Sequence, residues 1–385
     1  MARYRVYLWA APLLLISVLL VAMAFVSGPT QAKSGGFYRQ TNLVSDLPNI
    51  AKFQDPNLVN SWGLSHSPTS PWWVSDNGTG VATVYKGDGT ALQVGSPPMQ
   101  LVVTIPPPGG SPAGTTSAPT GNIFNGTSDF VVTGPNGSGP SRFIFATEDG
   151  TISGWNPNAD PTNGIIGVDN SSSGAVYKGL AMGSVGSSNF LYATNFHAGT
   201  IDVFDAHFAP ATLSGSFTDP NLPPCTNDTT TACFAPFGIR NINGNLYVTY
   251  ALQKLPDKHD DQAGPGNGFV DVFDTNGHLL QRLISHGELN SPWGLALAPN
   301  GFGRFGKDLL VGNFGDGHIN AYGIDTGAFR GQLKDQRGNS LTINGLWALG
   351  FGNGGSAGPT DTLFFTAGIN DEADGLFGSI TKGEG

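Results

Sequence analysis

Short runs of alternating apolar and polar residues recur along the whole chain, separated by turns rich in Gly, Asn and Asp. The run Thr200–Phe204 shows the two-residue period of a strand that packs on one face. One phrase returns six times: a Gly beside apolar residues, an apolar strand, an Asn/Asp/Gly turn and a second strand. Its six marker glycines are Gly63, Gly121, Gly179, Gly238, Gly294 and Gly345. Their spacing of 51 to 59 residues, with about four short strands per unit, predicts an all-β fold, a six-bladed β-propeller of four-stranded blades.

A ring of blades has to be closed by a strand from the other end of the chain. The segment FYRQTNLVSDL at residues 37–47 precedes the first unit, and the last unit is one strand short. We therefore expect residues 37–45 to complete the last blade as its outer strand, so that a single β-propeller domain spans residues 37–380. The segment Ala251–Asn267 is an insert between the second and third strands of the fourth unit.

Composition excludes several other classes of protein. Glycine supplies 56 of the 385 residues, and a glycine inside a helix costs about 1 kcal/mol, which argues against a helical bundle. Hydrophobic residues make up 39% of the chain, which is enough for a core, and charged residues only 12%. The formal net charge of −10 repels phosphate backbones, so nucleic acid is not an expected partner. We expect a monomer.

The N-terminus and the two cysteines indicate an exported protein. The basic start MARYR is followed by an uncharged apolar run over residues 6–26 and by small residues. This pattern predicts an export signal over residues 1–32, and a retained membrane anchor is the alternative. Both place the body in the periplasm, at the cell surface or in the medium. In such a compartment Cys225 and Cys233 are expected to form a disulfide.

Several strings along the chain are shared with one family. They are DPNLVNSWGLS, WWVSDNGTG, AVYKGLA, NSPWGLALAP and VGNFGDGHINAY. On these strings the chain resembles a family of exported bacterial proteins with an NHL-like six-bladed β-propeller, and the resemblance covers about residues 37–380. It implies the propeller fold and export. It implies no catalytic residues.

The repeat places equivalent turns in a ring around one end of the axis. These turns, the connections between blades and the insert are predicted to line a polar, aromatic-edged funnel. The candidate ligand-binding residues are Asn60, Trp62, Asp76, Asn77, Asn195, His197, His259, Asp260, Asp261, Trp293, Asn313, Asp316, Asn344, Asn370 and Asp371. Asn and Asp are also the residues that tight turns select, so a purely structural role is the alternative. Convergent oxygen ligands would suit Ca²⁺, which makes calcium a candidate cofactor.

Three functions are compatible with such a funnel. The first is an exported binding module for a small molecule, a glycan or a protein, in which Trp62 and Trp293 stack on sugar faces. The second is a metal-assisted hydrolase or lyase of the propeller lactonase type, with His259 as a base or ligand. The third is a structural cell-surface interaction protein without a small-molecule site. We expect binding rather than catalysis, and no catalytic or metal-ligating residues are assigned.

Overall fold

Each copy of the repeated phrase folds into one antiparallel sheet, because its alternating strands are joined by tight turns. The computed structural model describes Met1 and residues 36–226 and 228–383, and six such sheets follow one another in chain order. The first strand of each sheet contacts the first strand of the next, and that of the sixth contacts that of the first. The fold is therefore a six-bladed β-propeller, as predicted. Apart from Met1, the predicted export signal at residues 1–32 lies outside the described residues.

The strands of the six blades run outward from the axis in chain order. The first two blades contain Ser61–Ser65, Trp72–Asp76, Val81–Tyr85 and Val102–Thr104, then Pro119–Phe124, Phe143–Thr147, Thr151–Trp155 and Ile165–Asp169. The third and fourth contain Tyr177–Val185, Ser188–Asn195 and Thr200–Phe204, then Phe234–Ile242, Asn245–Leu252, Phe269–Phe273 and Leu279–Ser285. The fifth contains Pro292–Leu297, Asp308–Asn313, Ile319–Gly323 and Phe329–Gln332.

The sixth blade joins the two ends of the domain. Its strands are Leu346–Phe351, Leu363–Ile369, Asp374–Lys382, Tyr38–Ser45 and the short Phe53–Gln54. Tyr38–Ser45 pairs antiparallel with Asp374–Lys382, from Tyr38 opposite Lys382 to Ser45 opposite Leu376. This confirms the prediction that an N-terminal strand completes the last blade and closes the ring.

Two short hairpins and two 3-10 helices lie outside the six blade sheets in the described part of the chain. Two-stranded hairpins are formed by Gln93–Val94 with Met99–Gln100 and by Val131–Gly134 with Gly137–Pro140. Short 3-10 helices cover Ser171–Ser173 and Gly303–Phe305. No helix in the described ranges has the length and apolar character that crossing a bilayer requires.

The third blade has three strands where the repeat predicts four. Phe204 forms an isolated antiparallel β-bridge with Pro210. The fourth blade then begins at Phe234. The intervening segment also contains Pro220, Pro223 and Pro224. Proline has no backbone N–H for a sheet ladder, which explains why the described residues of this segment form no regular outer strand. The segment carries the predicted disulfide, between Cys225 and Cys233.

The marker glycines let neighbouring inner strands approach closely. A Cβ atom on Gly121 would lie 2.6 Å from the amide nitrogen of Leu180 in the next blade, closer than real Cβ contacts. In the sixth blade the equivalent position is Ala348, so the assignment of Gly345 was wrong. At this position the strand pairing skips two residues in five blades and one residue, Trp293, in the fifth. In the sixth blade the skipped pair ends at Ala348. The requirement for glycine therefore placed the marker position of the sixth unit at Gly345, three residues before Ala348.

Candidate functional site

Four aromatic side chains close the axis of the propeller. The residue before each marker position lies in an axial ring, whose six members are all buried: Trp62, Thr120, Lys178, Phe237, Trp293 and Trp347. The aromatic members form a plug. The indoles of Trp62 and Trp347 are stacked with ring centroids 3.4 Å apart. Trp293 meets these two edge-on, at 6.1 and 5.7 Å, and Phe237 meets Trp347 at 5.8 Å. The edge-on contacts of Trp293 and Phe237 suit the charge distribution of aromatic rings.

The plug changes the predicted funnel. Trp62 is 2% exposed and Trp293 is 9% exposed. Both indoles pack against other rings and so contribute to the packing of the axis. Ligand binding by these two residues stays a prediction.

A buried lysine stands in the axial ring beside the plug. Lys178 has a side chain that is 2% exposed, and its Nζ forms an ion pair with Oε1 of Glu148. Nζ also lies 3.6 Å from Oδ1 of Asp260 and 5.1 Å from the ring centroid of Trp62. Burial lowers the pKa of Lys178, but the Glu148 carboxylate outweighs burial and the net shift is upward. Lys178 is therefore a buried, charged ammonium.

The insert of the fourth blade brings His259 and Asp260 onto this ion pair. Nδ1 of His259 lies 3.0 Å from Oδ1 of Asp260 and 3.9 Å from Oε1 of Glu148. The hydrogen bond to Asp260 raises the pKa of His259, and the same bond lowers the pKa of Asp260 to about 2. Nearby, burial raises the pKa of Asp261.

Glu372 completes the cluster from the sixth blade. Burial and the charge of Glu148 raise the pKa of Glu372 and Lys178 opposes them, and the resulting pKa is about 7. Oε1 of Glu372 is shielded from solvent and has no hydrogen-bond partner in the described part of the chain. Three successive residues of this turn have left-handed backbone, Asn370, Asp371 and Glu372, with φ of 55°, 54° and 66°. Such backbone is strained for residues other than glycine, so the fold holds Glu372 here at an energetic cost.

We call this group of side chains the turn-face cluster, after the turns between second and third strands that carry most of it. Its members are Glu148, Lys178, His259, Asp260, Asp261 and Glu372. Two predicted residues extend it: Nδ2 of Asn77 donates to Oε2 of Glu148 at 2.9 Å, and Nδ2 of Asn60 lies 3.3 Å from Oδ1 of Asn77.

The other predicted residues are not part of the turn-face cluster. Asp76 is buried inside the first blade and accepts a hydrogen bond from Thr83. Nδ1 of His197 lies 3.0 Å from the carbonyl oxygen of Asp257 in the insert. The remaining side chains either shape their own turns or are exposed. They are Asn195, Asn313, Asp316, Asn344, Asn370 and Asp371.

A metal would have to compete with Lys178 for this place. Glu148, His259 and Asp260 offer ligand atoms that all lie within 4.8 Å of one another. Oxygen and imidazole ligands suit several divalent cations. However, the ammonium of Lys178 already contacts both carboxylates. The cluster therefore carries its own cation, and calcium stays a prediction.

A cavity of about 300 Å³ lies along the axis on the other side of the plug. The inner strands line it from the marker positions onward, and one guanidinium, that of Arg240, stands among its walls. The sequence analysis did not identify either axial cation, the buried Lys178 or the partly exposed Arg240, although both depart from the residue types of the other blades. Lys178 stands where other blades have Trp, Phe or Thr. Arg240 stands where they have Ser, Ile, Ala or Gly.

The chain is a six-bladed propeller protein. It has polar groups on both sides of the aromatic plug: the turn-face cluster on one side and the cavity with Arg240 on the other. The chain is 31% identical over 344 residues to uncharacterized protein R648 of Acanthamoeba polyphaga mimivirus, covering 88% of this chain and 79% of that protein. It is 30% identical over 359 residues to uncharacterized protein L690 of the same virus, covering 92% and 88%. It belongs to the family of these viral proteins. Membership of an exported bacterial, NHL-like family stays a prediction. No protein-family model matches the chain.

Solved structures resemble the chain in fold. A streptogramin B lyase structure has a TM-score of 0.48 at 12% identity, covering 90% of this chain and 98% of that one. A PQQ-bound aldose sugar dehydrogenase from Streptomyces coelicolor has a TM-score of 0.47 at 12% identity, covering 91% and 99%. At such identities the likeness concerns the fold alone.

Proposed function

We propose that this protein is an exported, NHL-like propeller that binds a small hydroxyl- or amine-bearing molecule at the turn-face cluster. The observation that carries this proposal is Oε1 of Glu372, a shielded carboxylate oxygen without a hydrogen-bond partner among the described residues. A shielded acceptor that is left unpaired costs about 1–3 kcal/mol. A ligand that donates a hydrogen bond to Glu372 removes this cost.

The surroundings of Glu372 select the chemistry of the ligand. Asp260 and Asp261 stand nearby as further acceptors, and the Asp260 side chain is 59% exposed. His259 is 43% exposed and covers one side of the cluster. Acceptors therefore outnumber donors at the solvent side, which favours a ligand rich in hydroxyl or ammonium groups. The strained turn at Asn370–Glu372 supports a functional role, because strain is commonly retained at binding sites.

A hydrolase or lyase is the second candidate, and one observation favours it. Burial and the charge of Glu148 hold the pKa of Glu372 at about 7, whereas Glu148 is ion-paired with Lys178. Two carboxyl groups whose environments separate their protonation states can act as an acid and a base. In this alternative Glu372 would transfer the proton, and Lys178 would stabilise negative charge that develops on the substrate.

The disulfide supports the proposal that the protein is exported. The bond between Cys225 and Cys233 supports an oxidising environment. Expression of the full chain in a bacterial host, followed by fractionation, tests export. Recovery of the chain in the cytoplasm with residues 1–32 intact would contradict it.

Binding is tested by titrating the purified protein with monosaccharides, with oligoamines and with CaCl2. Tryptophan emission is a suitable signal, since Lys178 lies over Trp62. We expect at least one sugar or amine to change the emission, and we expect E372Q to weaken that ligand at least tenfold. D325N, an exposed carboxylate at the edge of the fifth blade, is the matched control and should bind normally. Equal binding by E372Q and D325N would contradict the proposal. If the protein converts the ligand chemically and E372Q abolishes that conversion, the hydrolase or lyase alternative would be favoured over binding alone.

A further inference from the structure

The cavity beyond the plug has walls that are mainly apolar. Side chains of Leu64, Leu180, Ile239 and Leu295 line it, contributed by four different inner strands. The lining residues farthest from the plug include His66 and Asn241, both partly exposed, so solvent reaches the cavity from that end. The plug separates this space from the turn-face cluster.

Arg240 places a positive charge inside these walls. Nη1 of Arg240 donates to the carbonyl oxygens of Leu295 at 3.1 Å and Leu349 at 2.6 Å. In the described part of the chain no carboxylate oxygen lies within 4.0 Å of its guanidinium nitrogens. Burial lowers the pKa of Arg240, and no neighbouring acid offsets that effect. Among the described residues, backbone carbonyls alone contact this charge, and Arg240 is partly exposed.

One edge of the guanidinium has no partner. The two carbonyls occupy the two N–H groups of Nη1. Nε and Nη2 make no hydrogen bond to any described residue. These two nitrogens form the planar fork that matches the two oxygens of a carboxylate. A partly exposed cation in an apolar cavity, which lacks a counterion among the described residues and presents this fork, is arranged for an organic anion.

A second polar group at the wall also lacks a partner. Nε1 of Trp293 is shielded and makes no hydrogen bond in the described ranges, and Trp293 lines the same cavity. Trp293 is 9% exposed. Its indole N–H is a donor, as the fork of Arg240 is. The N–H of Trp293 is shielded, so the donor that a ligand in the cavity reaches is the fork of Arg240, which calls for a ligand with acceptor oxygens.

We propose that the axial cavity binds a small apolar carboxylate, with its two oxygens on Nε and Nη2 of Arg240 and its hydrocarbon part against the leucine and isoleucine walls. A volume of about 300 Å³ corresponds to roughly ten waters of about 30 Å³ each. The cavity therefore suits an acid of about ten non-hydrogen atoms. This site goes beyond the proposed function, since it lies on the other side of the plug and uses other residues.

Calorimetric titration of the full chain with benzoate, hexanoate, inorganic phosphate and benzyl alcohol tests the site. We expect one benzoate or hexanoate per chain. Benzyl alcohol, a neutral molecule of similar shape, should bind at least tenfold more weakly. R240M should weaken carboxylate binding at least tenfold, and R240K should fall between R240M and the unchanged protein. D325N should bind like the unchanged protein. Equal affinity for benzoate and benzyl alcohol, tighter binding of phosphate, or normal binding by R240M would overturn the proposal.

A second measurement covers the case in which R240M does not fold. Crystals of the unchanged protein are soaked in 4-bromobenzoate, and bromine is located by anomalous scattering. A peak inside the axial cavity, with the carboxylate on Arg240, supports the proposal. A peak only at other places, or no peak at saturating ligand, overturns it.

Discussion

The indole of Trp347 lies against the indole of Trp62, with ring planes 20° apart, although the two residues come from opposite ends of the domain. Trp62 belongs to the first blade and Trp347 to the sixth, so this contact joins the two blades that ring closure brings together. The outer edge of the same junction is the strand Tyr38–Ser45. The ring is thus closed by the indole contact at the axis and by the strand Tyr38–Ser45 at the outer edge.

The closing strand should contribute measurably to stability through Tyr38. Its hydroxyl donates to the carbonyl oxygen of Phe302 at 3.0 Å and accepts from the amide of Phe305 at 3.3 Å. Y38F leaves both groups unpaired, so we expect the free energy of unfolding to fall by about 1–3 kcal/mol. Urea denaturation followed by tryptophan emission measures it. Y322F is the matched control, because the hydroxyl of Tyr322 has no partner in the described residues. An equal loss in both variants would contradict the prediction.

Gly179, one of the marker glycines of the inner strands, should not tolerate a side chain. In G179A the new methyl group would lie 2.9 Å from the carbonyl oxygen of Phe237 in the next blade. Overpacking of this kind costs about 1–3 kcal/mol. G355A is the control, since a Cβ there meets only Asn353, at 3.5 Å. Thermal melting should separate the two variants by several degrees, and a melting temperature of G179A at or above that of G355A would refute the prediction.

Loss of the buried ammonium should leave Glu148 uncompensated. The side chains of Lys178 and Glu148 are 2% and 12% exposed. Removing one partner of a buried ion pair costs about 3–5 kcal/mol, which is the loss of unfolding free energy that we expect for K178M. K52M, at an exposed lysine, should change stability by no more than about 0.5 kcal/mol. The double variant K178M/E148Q should regain part of the loss. A double variant no more stable than K178M would show that the pair is not the cause.

Stability should depend on pH through Asp271 in the fourth blade. Burial and repulsion from Asp219 raise the pKa of Asp271 and Arg282 opposes them, and the resulting pKa is about 7. In the unfolded chain an aspartate titrates near pH ~3.9. Between about pH 4 and pH 7 the folded state therefore keeps a proton that the unfolded state has lost, and stability falls as the pH rises.

The variant D271N isolates this contribution. The drop in unfolding free energy from pH 5 to pH 8 should be smaller in D271N than in the unchanged protein by about 1–3 kcal/mol. Denaturation at both pH values measures the two drops. D325N, whose carboxylate is exposed, should follow the unchanged protein. A drop of the same size in D271N would assign the pH dependence to other groups.

Much of the fold could be predicted, because repetition is a property of the sequence. The phrase around Trp62-Gly63-Leu64 and its copies set the number of blades, and the unpaired segment at residues 37–45 predicted closure. The missing fourth strand of the third blade was not predicted, since the prolines after Phe204 act locally against the repeat. The offset at Ala348 shows how a search for one residue type misses an equivalent one.

The candidate site was predicted less well, for a reason that particular residues illustrate. His259 and Asp260 were predicted and lie beside Glu148, because the insert brings them to the ion pair of Lys178. Trp62 and Trp293 were predicted to face a ligand, but they pack against each other. Lys178 and Arg240 were missed, because a single charge among apolar repeat positions gains its meaning only when the other blades surround it.

The sequence alone determined the sheet count, the inner-strand glycines, the turns and the closing strand. Each of these follows from local preferences repeated at a fixed interval. Only the tertiary structure decided that aromatic rings block the axis, that Lys178 is paired with Glu148, and that Arg240 stands in a cavity without a counterion. The physical reason is that burial and electrostatic pairing depend on distances between residues far apart in the chain, and only the closed ring sets those distances.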